Sequence, residues 1–140
     1  MRNRTQAREY ALQMLYQTDI RRADARMLME SFWSELEAPS DVRIFATQLV
    51  QATMEHLPEI DVLIGRYADN WDMKRMAVID RNVLRLGVCE LLYVEGTPPK
   101  VCINEAIELA KRFGDEESGK FINGILDAIH KKRAHADPAG

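Results

Sequence analysis

The side chains of this sequence with the most evident chemistry are cations in two short stretches. One stretch opens the chain, and the other flanks the polar segment 114–118. Lysine and arginine side chains bind phosphate groups, and single-stranded nucleic acids are commonly held by such contacts. The cations that we select as candidate phosphate ligands are Arg2, Arg4, Arg8, Lys111, Arg112 and Lys120.

Side chains near these cations add the means to recognise bases. Tyr16 offers an aromatic platform on which a base can stack, and Asn123 offers an amide for a base edge. Glu117 and Ser118 lie beside Lys120 in the sequence, where they could accept hydrogen bonds from bases and repel a misplaced backbone. A solvated charged surface without a ligand is the alternative explanation for the same residues.

The composition is that of an ordinary globular domain without a strong overall attraction for nucleic acid. The chain has 140 residues, of which 46% are hydrophobic and 29% charged, and its net charge is -3. RNA binding would therefore depend on the local cations and not on the mean charge of the protein. We expect a single all-helical domain over residues 1–136 and a short tail over 137–140.

Two features of the sequence predict a cytoplasmic protein without a membrane partner. No apolar run approaches the ~20 residues of a membrane-spanning helix, and the basic N-terminus lacks a secretory apolar segment. Cys89 and Cys102 stand apart among apolar neighbours, which predicts two free buried thiols and not a disulfide. Free thiols are typical of a reducing compartment.

Patterns for nucleotide, metal and catalytic sites are incomplete. Residues 114–120 match the first seven positions of a phosphate-binding P-loop, but Phe121 stands where serine or threonine must hold magnesium. A predicted helix also precedes this segment where a strand is required. His56, His130 and His135 have no Cys or His partner at ligand spacing, and no nucleophile lies beside a base. We therefore expect no enzymatic activity, metal or cofactor.

Apolar residues recur at helical spacing along the chain, and no stretch alternates convincingly as a strand would. Prolines and glycines mark the ends of the periodic segments. The predicted helices cover residues 5–18, 25–36, 41–56, 59–70 and 72–94, with two more between Pro98 and Ile129 that meet at Gly114. Seven helices with short connections predict an all-α orthogonal bundle.

The fifth predicted helix is apolar over the widest arc, which predicts that it is buried on several sides. We expect Gly114 to end the sixth helix in the left-handed conformation and Gly124 to mark close packing of the seventh. The expected core residues are Leu49, Ile64, Leu86, Ile107 and Leu126.

Two ungapped motifs near the C-terminus are highly specific. Residues 101–114 read V-x-I-N-E-A-I-E-L-A-K-x-F-G, and residues 118–127 read S-x-K-F-x-N-G-x-L-D. Together they resemble the C-terminal signature of the NusB family of transcription antitermination factors. The pattern A-R-x-x-A-L-Q-x-L-Y at 7–16 resembles the first helix of that family. The resemblance covers nearly the whole chain and implies two three-helix bundles packed together.

The resemblance also implies partners. In the NusB family an arginine-rich N-terminus contacts RNA, and the RNA is the boxA element of nascent transcripts, above all ribosomal RNA leaders. The family partner is NusE, a small-subunit ribosomal protein. The heterodimer recruits RNA to elongating RNA polymerase, where other Nus factors act, and suppresses termination. We expect NusE to bind the C-terminal half, near the exposed side of the fifth helix around Asp80.

Other interpretations remain open at this point. The chain could be a helical module that binds only proteins, or a homodimer, formed in some family members, that covers the RNA surface. NusB-like domains are also fused to ribosomal RNA cytosine methyltransferases. No strand–helix alternation or Gly-rich cofactor loop follows the helices here, so we expect no catalytic domain.

Overall fold

The structure, a computed structural model, describes residues 2–68 and 72–136, with side chains described for 3–68 and 72–133. Within these residues it contains seven α-helices, one 3-10 turn and no strand. The all-helical fold class predicted from the periodicity is confirmed. The elements are α1 (Arg2–Arg21), α2 (Ala25–Ser34), α3 (Ser40–Glu55), α4 (Leu57–Tyr67), the 3-10 turn Met73–Arg75, α5 (Val78–Tyr93), α6 (Pro99–Phe113) and α7 (Glu116–Ala136).

Helices α1, α2 and α3 pack on one another as the first bundle. The start of α2 is fixed by Asp24, whose carboxylate accepts hydrogen bonds from the backbone N–H groups of Arg26 and Met27, at 2.9 and 3.2 Å. An aromatic cluster then joins α2 to α1, because the ring of Tyr10 makes edge contacts with Phe32 and Trp33, each with centroids 5.9 Å apart.

Helices α5, α6 and α7 form the second bundle, and α4 packs against α5 and α7. Because α5 also contacts α1 and α3, it is the central helix, as its wide apolar arc predicted. Gly87 permits a close approach of α5 to α6 and α7: a Cβ atom there would lie 2.9 Å from Cδ1 of Leu126 and 3.4 Å from Cβ of Ala106. A side chain at residue 87 would require at least the Leu126 side chain to shift.

Several predicted helix ends are wrong. Asp72 does not open α5; its carboxylate accepts a hydrogen bond from the N–H of Lys74 at 3.0 Å and caps the separate 3-10 turn. The first helix extends past residue 18 to Arg21, and the Asp19 side chain on it accepts hydrogen bonds from Arg81 and Asn82 of α5. The end predicted for the fourth helix falls at 69–70, and those residues, like Trp71 and the predicted tail 137–140, lie outside the described ranges.

Two glycine expectations in the second bundle are also corrected. Gly114 ends α6 with φ -116°, so it is not left-handed. Crowding explains the presence of glycine at this position better, because a Cβ atom there would lie 2.7 Å from Oγ of Ser118 and 2.8 Å from the carbonyl oxygen of Ala110. Gly124 is exposed, and its Cβ would meet nothing within 4 Å, so it marks no close packing.

The core extends through both bundles. Leu49, Ile64, Leu86 and Leu126 are buried as predicted, but Ile107 is only half-buried at the edge of the core. No helix within the described ranges is long and apolar enough to cross a membrane.

Candidate nucleic-acid interface

The connection between α6 and α7 meets the N-terminal part of α1, so the exposed cations Lys111 and Arg112 lie beside residues of that helix. A groove of about 620 Å³ lies between these elements, and we call it the joint groove. Lys111 and Arg112 line it from the last turn of α6, Glu116 from the first turn of α7, and Thr5 and Glu9 from α1.

The start of α7 gives this surface a second source of positive potential. Asp115 caps the helix by accepting a hydrogen bond from the N–H of Ser118 at 2.8 Å. The unpaired N–H groups and the dipole of a helix N-terminus favour anions. Glu116 and Glu117 occupy this first turn, so their carboxylates lie where a phosphate group would also be favoured.

The exposed cations around the α6–α7 connection all have a carboxylate partner. Arg112 pairs with Glu9 of α1. Lys111 lies 3.8 Å from Glu116, and Lys120 lies 3.4 Å from Glu117. Exposed pairs of this kind contribute roughly 0–1 kcal/mol. An RNA phosphate can therefore displace these carboxylates at little cost in protein stability.

Arg8 lies in the core and not on this surface. Its side chain is 1% exposed, and it donates hydrogen bonds to both oxygens of Glu90, from Nε at 2.8 Å and from Nη2 at 2.5 Å. A third bond, from Nη1, reaches Glu105 at 2.9 Å. Burial alone would lower the pKa of Arg8, but the hydrogen bond and charge of Glu90, together with the charge of Glu105, raise it. The burial of Arg8 was therefore missed from the sequence, and its role as a phosphate ligand stays a prediction.

Arg8, Glu90 and Glu105, which we call the Arg8 cluster, join α1 to α5 and α6. Glu105 also accepts a hydrogen bond from the hydroxyl of Thr5 at 2.5 Å, beside the joint groove. Arg8 thus lines the inner wall of the joint groove and supports it, although its side chain exposes almost no surface. The signal that could have revealed this is Glu90, a carboxylate inside an otherwise apolar stripe, because a buried charge requires a partner.

The other described residues selected from the sequence line neither the joint groove nor the groove around Lys120. The Arg4 guanidinium lies 4.1 Å from the centre of the Phe45 ring on α3 and is exposed. Tyr16 is half-buried on α1, and Asn123 is exposed on α7. The side chain of Arg2 lies outside the described side chains.

Lys120 and Ser118 line a second groove, of about 580 Å³, on the other side of the start of α7. We call it the Asp80 groove, because Asp80 of α5 lies across from them. Met76 and Phe121 contribute apolar surface. The Oδ1 atom of Asp80 is buried and has no hydrogen-bond partner in the described part of the protein. Such an oxygen is costly unless a donor from another molecule reaches it.

A second polar cluster fixes the start of α5, where Asp80 lies. We call it the Asp19 cluster; its members are Asp19, Asp61, Arg81, Asn82 and Arg85. The Oδ2 atom of Asp19 accepts from Arg81 and Asn82, both at 2.9 Å, and from Arg85 at 3.2 Å. Burial alone would raise the pKa of Asp19, but these hydrogen bonds and charges lower it.

The two thiols have no disulfide, as predicted. Cys89 and Cys102 are free and buried. Burial raises the pKa of Cys89 to about 11 and that of Cys102 to about 12, so both are protonated and unreactive at neutral pH. Among the residues that the structure describes, no cluster of three His, Cys, Asp or Glu side chains could hold a metal ion.

Comparison with known proteins identifies relatives over almost the full chain. A model described as the NusB family matches residues 5–131. The transcription antitermination protein NusB of Syntrophus aciditrophicus (strain SB) is 46% identical over 132 residues, which cover 94% of this chain and 82% of that protein. The protein of the same name from Myxococcus xanthus (strain DK1622) is 48% identical over 130 residues, which cover 90% and 93%.

Solved structures have the same fold. NusB of T. maritima superposes with a TM-score of 0.84 at 41% identity, covering 91% of this chain and 90% of that chain. A chain in the crystal structure of antitermination factors NusB and NusE in complex with dsRNA superposes with a TM-score of 0.85 at 34% identity, covering 94% and 98%.

Proposed function

We propose that this chain, which belongs to the NusB family, binds RNA together with NusE and acts as a transcription antitermination factor. The RNA is a boxA-type segment of a nascent ribosomal RNA transcript. The complex joins elongating RNA polymerase and other Nus factors and helps the polymerase to read through terminators. The protein works in the cytoplasm, where its two free thiols are stable.

One observation carries the RNA assignment: the fold brings the start of α1 and the α6–α7 connection to one groove. Lys111 and Arg112 line this groove, and Lys120 adds an exposed cation at the start of α7. Arg4, which precedes Thr5 of the groove lining, is exposed, and its guanidinium lies over the Phe45 ring of α3. Phosphate groups would replace the carboxylate partners of these cations, while Tyr16 and Asn123 remain available for bases.

A second observation supports NusE as a protein partner at the Asp80 groove. This groove combines apolar surface from Met76 and Phe121 with the unpartnered oxygen of Asp80. A basic ribosomal protein could donate a hydrogen bond to that oxygen. Because Lys120 and Ser118 also line the groove, a partner bound there would lie against the RNA surface and could extend it. NusE would then strengthen RNA binding.

A titration with a short boxA-type RNA, single-stranded and as a duplex, tests the RNA assignment. Lys120→Ala and Arg112→Ala should each weaken binding and flatten the dependence of log affinity on log salt by about 0.7 per lost contact on single strands. Lys100→Ala is the matched control, because Lys100 is exposed at the opposite end of α6 from the joint groove. RNA binding that none of these substitutions changes would contradict the proposed RNA surface.

The same titration with NusE tests the partner surface. NusE should tighten RNA binding, and Asp80→Lys should weaken the heterodimer by placing a cation where a donor is expected. Helicity, measured by circular dichroism, should remain unchanged, because Asp80 has no partner within the described chain for the Oδ1 atom. Unchanged heterodimer affinity by calorimetry would show that NusE binds elsewhere.

A further inference from the structure

We propose that the corner between α1 and α2 is a second RNA contact, which holds phosphate groups of the strand beyond the segment at the joint groove. The corner consists of Arg21, Arg22 and Arg26, at the end of α1 and the start of α2; Arg43 lies further along the groove between α2 and α3, beside Trp33. This inference rests on the proposed function and adds to it a length requirement: the protein should prefer RNA that extends past the boxA-type segment.

The corner arginines differ from the joint cations in having no carboxylate partner. Arg21, Arg22, Arg26 and Arg43 are all exposed, and none makes an ion pair within the described residues. The carboxylate of Asp24 is close in sequence but is engaged in capping α2. Each of these arginines can therefore bind a phosphate group without first losing a carboxylate partner.

The backbone of Arg22 provides independent support. Its φ is 51°, and it is the one residue other than glycine with positive φ in the described ranges. This left-handed position directly follows the end of α1, where glycine is the usual residue because it has no Cβ to clash. An arginine at such a position has a conformational cost, which a contact made by its side chain would offset.

The groove between α2 and α3 leads away from the corner. It measures about 630 Å³, with Arg26 and Arg43 among its lining residues. The Arg43 guanidinium lies 5.4 Å from the centre of the Trp33 ring, which holds it by a cation–π contact. Thr47 and Gln51 add polar groups, and Glu30 is the carboxylate in the lining. Cations over an aromatic floor are typical of single-strand binding grooves.

The distance along α1 between the two proposed contacts is within the reach of a short RNA strand. Arg4 and Arg21 lie 17 residues apart on one helix, which corresponds to about 25 Å at 1.5 Å per residue. A stacked strand covers that distance in roughly seven nucleotides at 3.4 Å per phosphate. Because Arg4 belongs to the proposed RNA surface, RNA is a better candidate for the corner than an acidic protein, which would need no such continuity.

Two single-stranded RNAs test the proposal: the boxA-type segment alone, and the same segment with about 12 further nucleotides on both sides. Wild-type protein, with NusE present, should bind the longer RNA more tightly. Replacing Arg21, Arg22 and Arg26 together with Gln should leave the short RNA unaffected. The same variant should weaken binding of the longer RNA and flatten its salt dependence by about 2, at 0.7 per lost contact.

A matched variant that replaces Arg66, Lys74 and Lys100 with Gln removes the same charge from other exposed positions and should change neither affinity. An equal loss in this control, or no preference for the longer RNA in the wild type, would overturn the proposal. So would unchanged binding of both RNAs by the corner variant, which would instead leave the corner to an acidic protein. Failure of the short RNA to bind wild-type protein would refute the proposed function itself.

The Arg22→Gly variant tests the contribution of the side chain separately from that of the backbone conformation. Glycine accepts a φ of 51° without a Cβ clash, so this variant should melt at an equal or higher temperature than wild type. It should nevertheless bind the longer RNA several-fold more weakly, whereas Arg22→Lys should keep most of the affinity. Wild-type affinity in the glycine variant would show that Arg22 makes no contact with RNA.

Discussion

The Arg8 cluster and the Asp19 cluster both join α1 to α5, but they lie in different surroundings. The Arg8 and Glu90 side chains are 1% and 3% exposed, whereas those of Asp19, Arg81 and Arg85 are 13–18% exposed. Water can compensate part of any loss in the second cluster and almost none in the first. Loss of one partner should therefore cost more stability in the Arg8 cluster than in the Asp19 cluster, although both join the same two helices.

Arg8→Met should have the largest effect on stability. It leaves Glu90 and Glu105 without their cation, and breaking a buried ion pair in this way costs roughly 3–5 kcal/mol of unfolding free energy. Denaturant unfolding measures the loss. The matched control is Arg8→Met combined with Glu90→Met, which removes the buried charge from both sides and should recover much of the stability.

The pH dependence of Arg8→Met sharpens this prediction. Without Arg8, the buried Glu90 carboxylate lacks the cation that offsets the cost of burying a charge. If this charge dominates the loss, the stability deficit of the variant should shrink from neutral to acidic pH. A deficit that stays constant from neutral to acidic pH would mean that packing, and not charge, dominates the Arg8 cluster.

Asp19→Asn should have an intermediate effect. It keeps the size of the side chain but removes the charge that binds Arg81 and Arg85, so we expect a loss of about 1–2 kcal/mol at neutral pH. The folded-state pKa of Asp19 is lowered, so wild type carries this stability above the unfolded pKa near 4 and loses it as the pH falls through the folded pKa.

The two unfolding curves should therefore converge in acid. A difference between wild type and Asp19→Asn that persists at about pH 2 would contradict an electrostatic origin. Because Arg81 also donates to the carbonyl oxygen of Met73, the Asp19 cluster supports the 3-10 turn before α5. Weaker NusE binding by Asp19→Asn, at a pH where the variant is fully folded, would indicate that this support positions Asp80.

Features that depend on residues nearby in the chain could be predicted from the sequence, whereas those that depend on partners distant in the chain could not. Apolar periodicity predicts the helices and places α5 at the centre, and the two C-terminal motifs indicate the family, which the comparisons confirm. The start of α5 was missed because the cap at Asp72 serves a short turn that leaves no periodic signal. Arg8 was misplaced because its partner Glu90 lies 82 residues away.

Two glycines show the same dependence on residues distant in the chain. Gly124 and Gly87 both fall inside predicted helices, and the sequence does not show which of them lies at a close helix contact. Only the tertiary structure shows that a Cβ at Gly87 would meet Leu126, whereas one at Gly124 would meet nothing within 4 Å. The joint groove could likewise be anticipated in outline, because both cation groups border apolar stripes, but the carboxylate partner of each cation depends on packing.

The third and smallest effect on stability is expected for Glu9→Gln, which extends the comparison to a pair at the surface. Glu9 binds Arg112, whose side chain is 66% exposed, so removing the charge should change the unfolding free energy by less than about 1 kcal/mol. RNA binding should respond more clearly than stability. With its carboxylate partner gone, Arg112 is free to contact a phosphate, and affinity for a boxA-type RNA should increase. Its salt dependence should steepen by up to about 0.7.

Glu108→Gln is the control for Glu9→Gln, because Glu108 also lines the joint groove but pairs with no cation in the described residues. Removing its charge raises the local potential without releasing a particular arginine. If both substitutions strengthen RNA binding equally, the effect is a general one of charge. If only Glu9→Gln does so, and Arg112→Ala abolishes the gain, the ion pair itself holds Arg112 away from RNA. In that case Glu9 limits the affinity of the joint groove, whereas the buried carboxylates Glu90 and Glu105 maintain its shape.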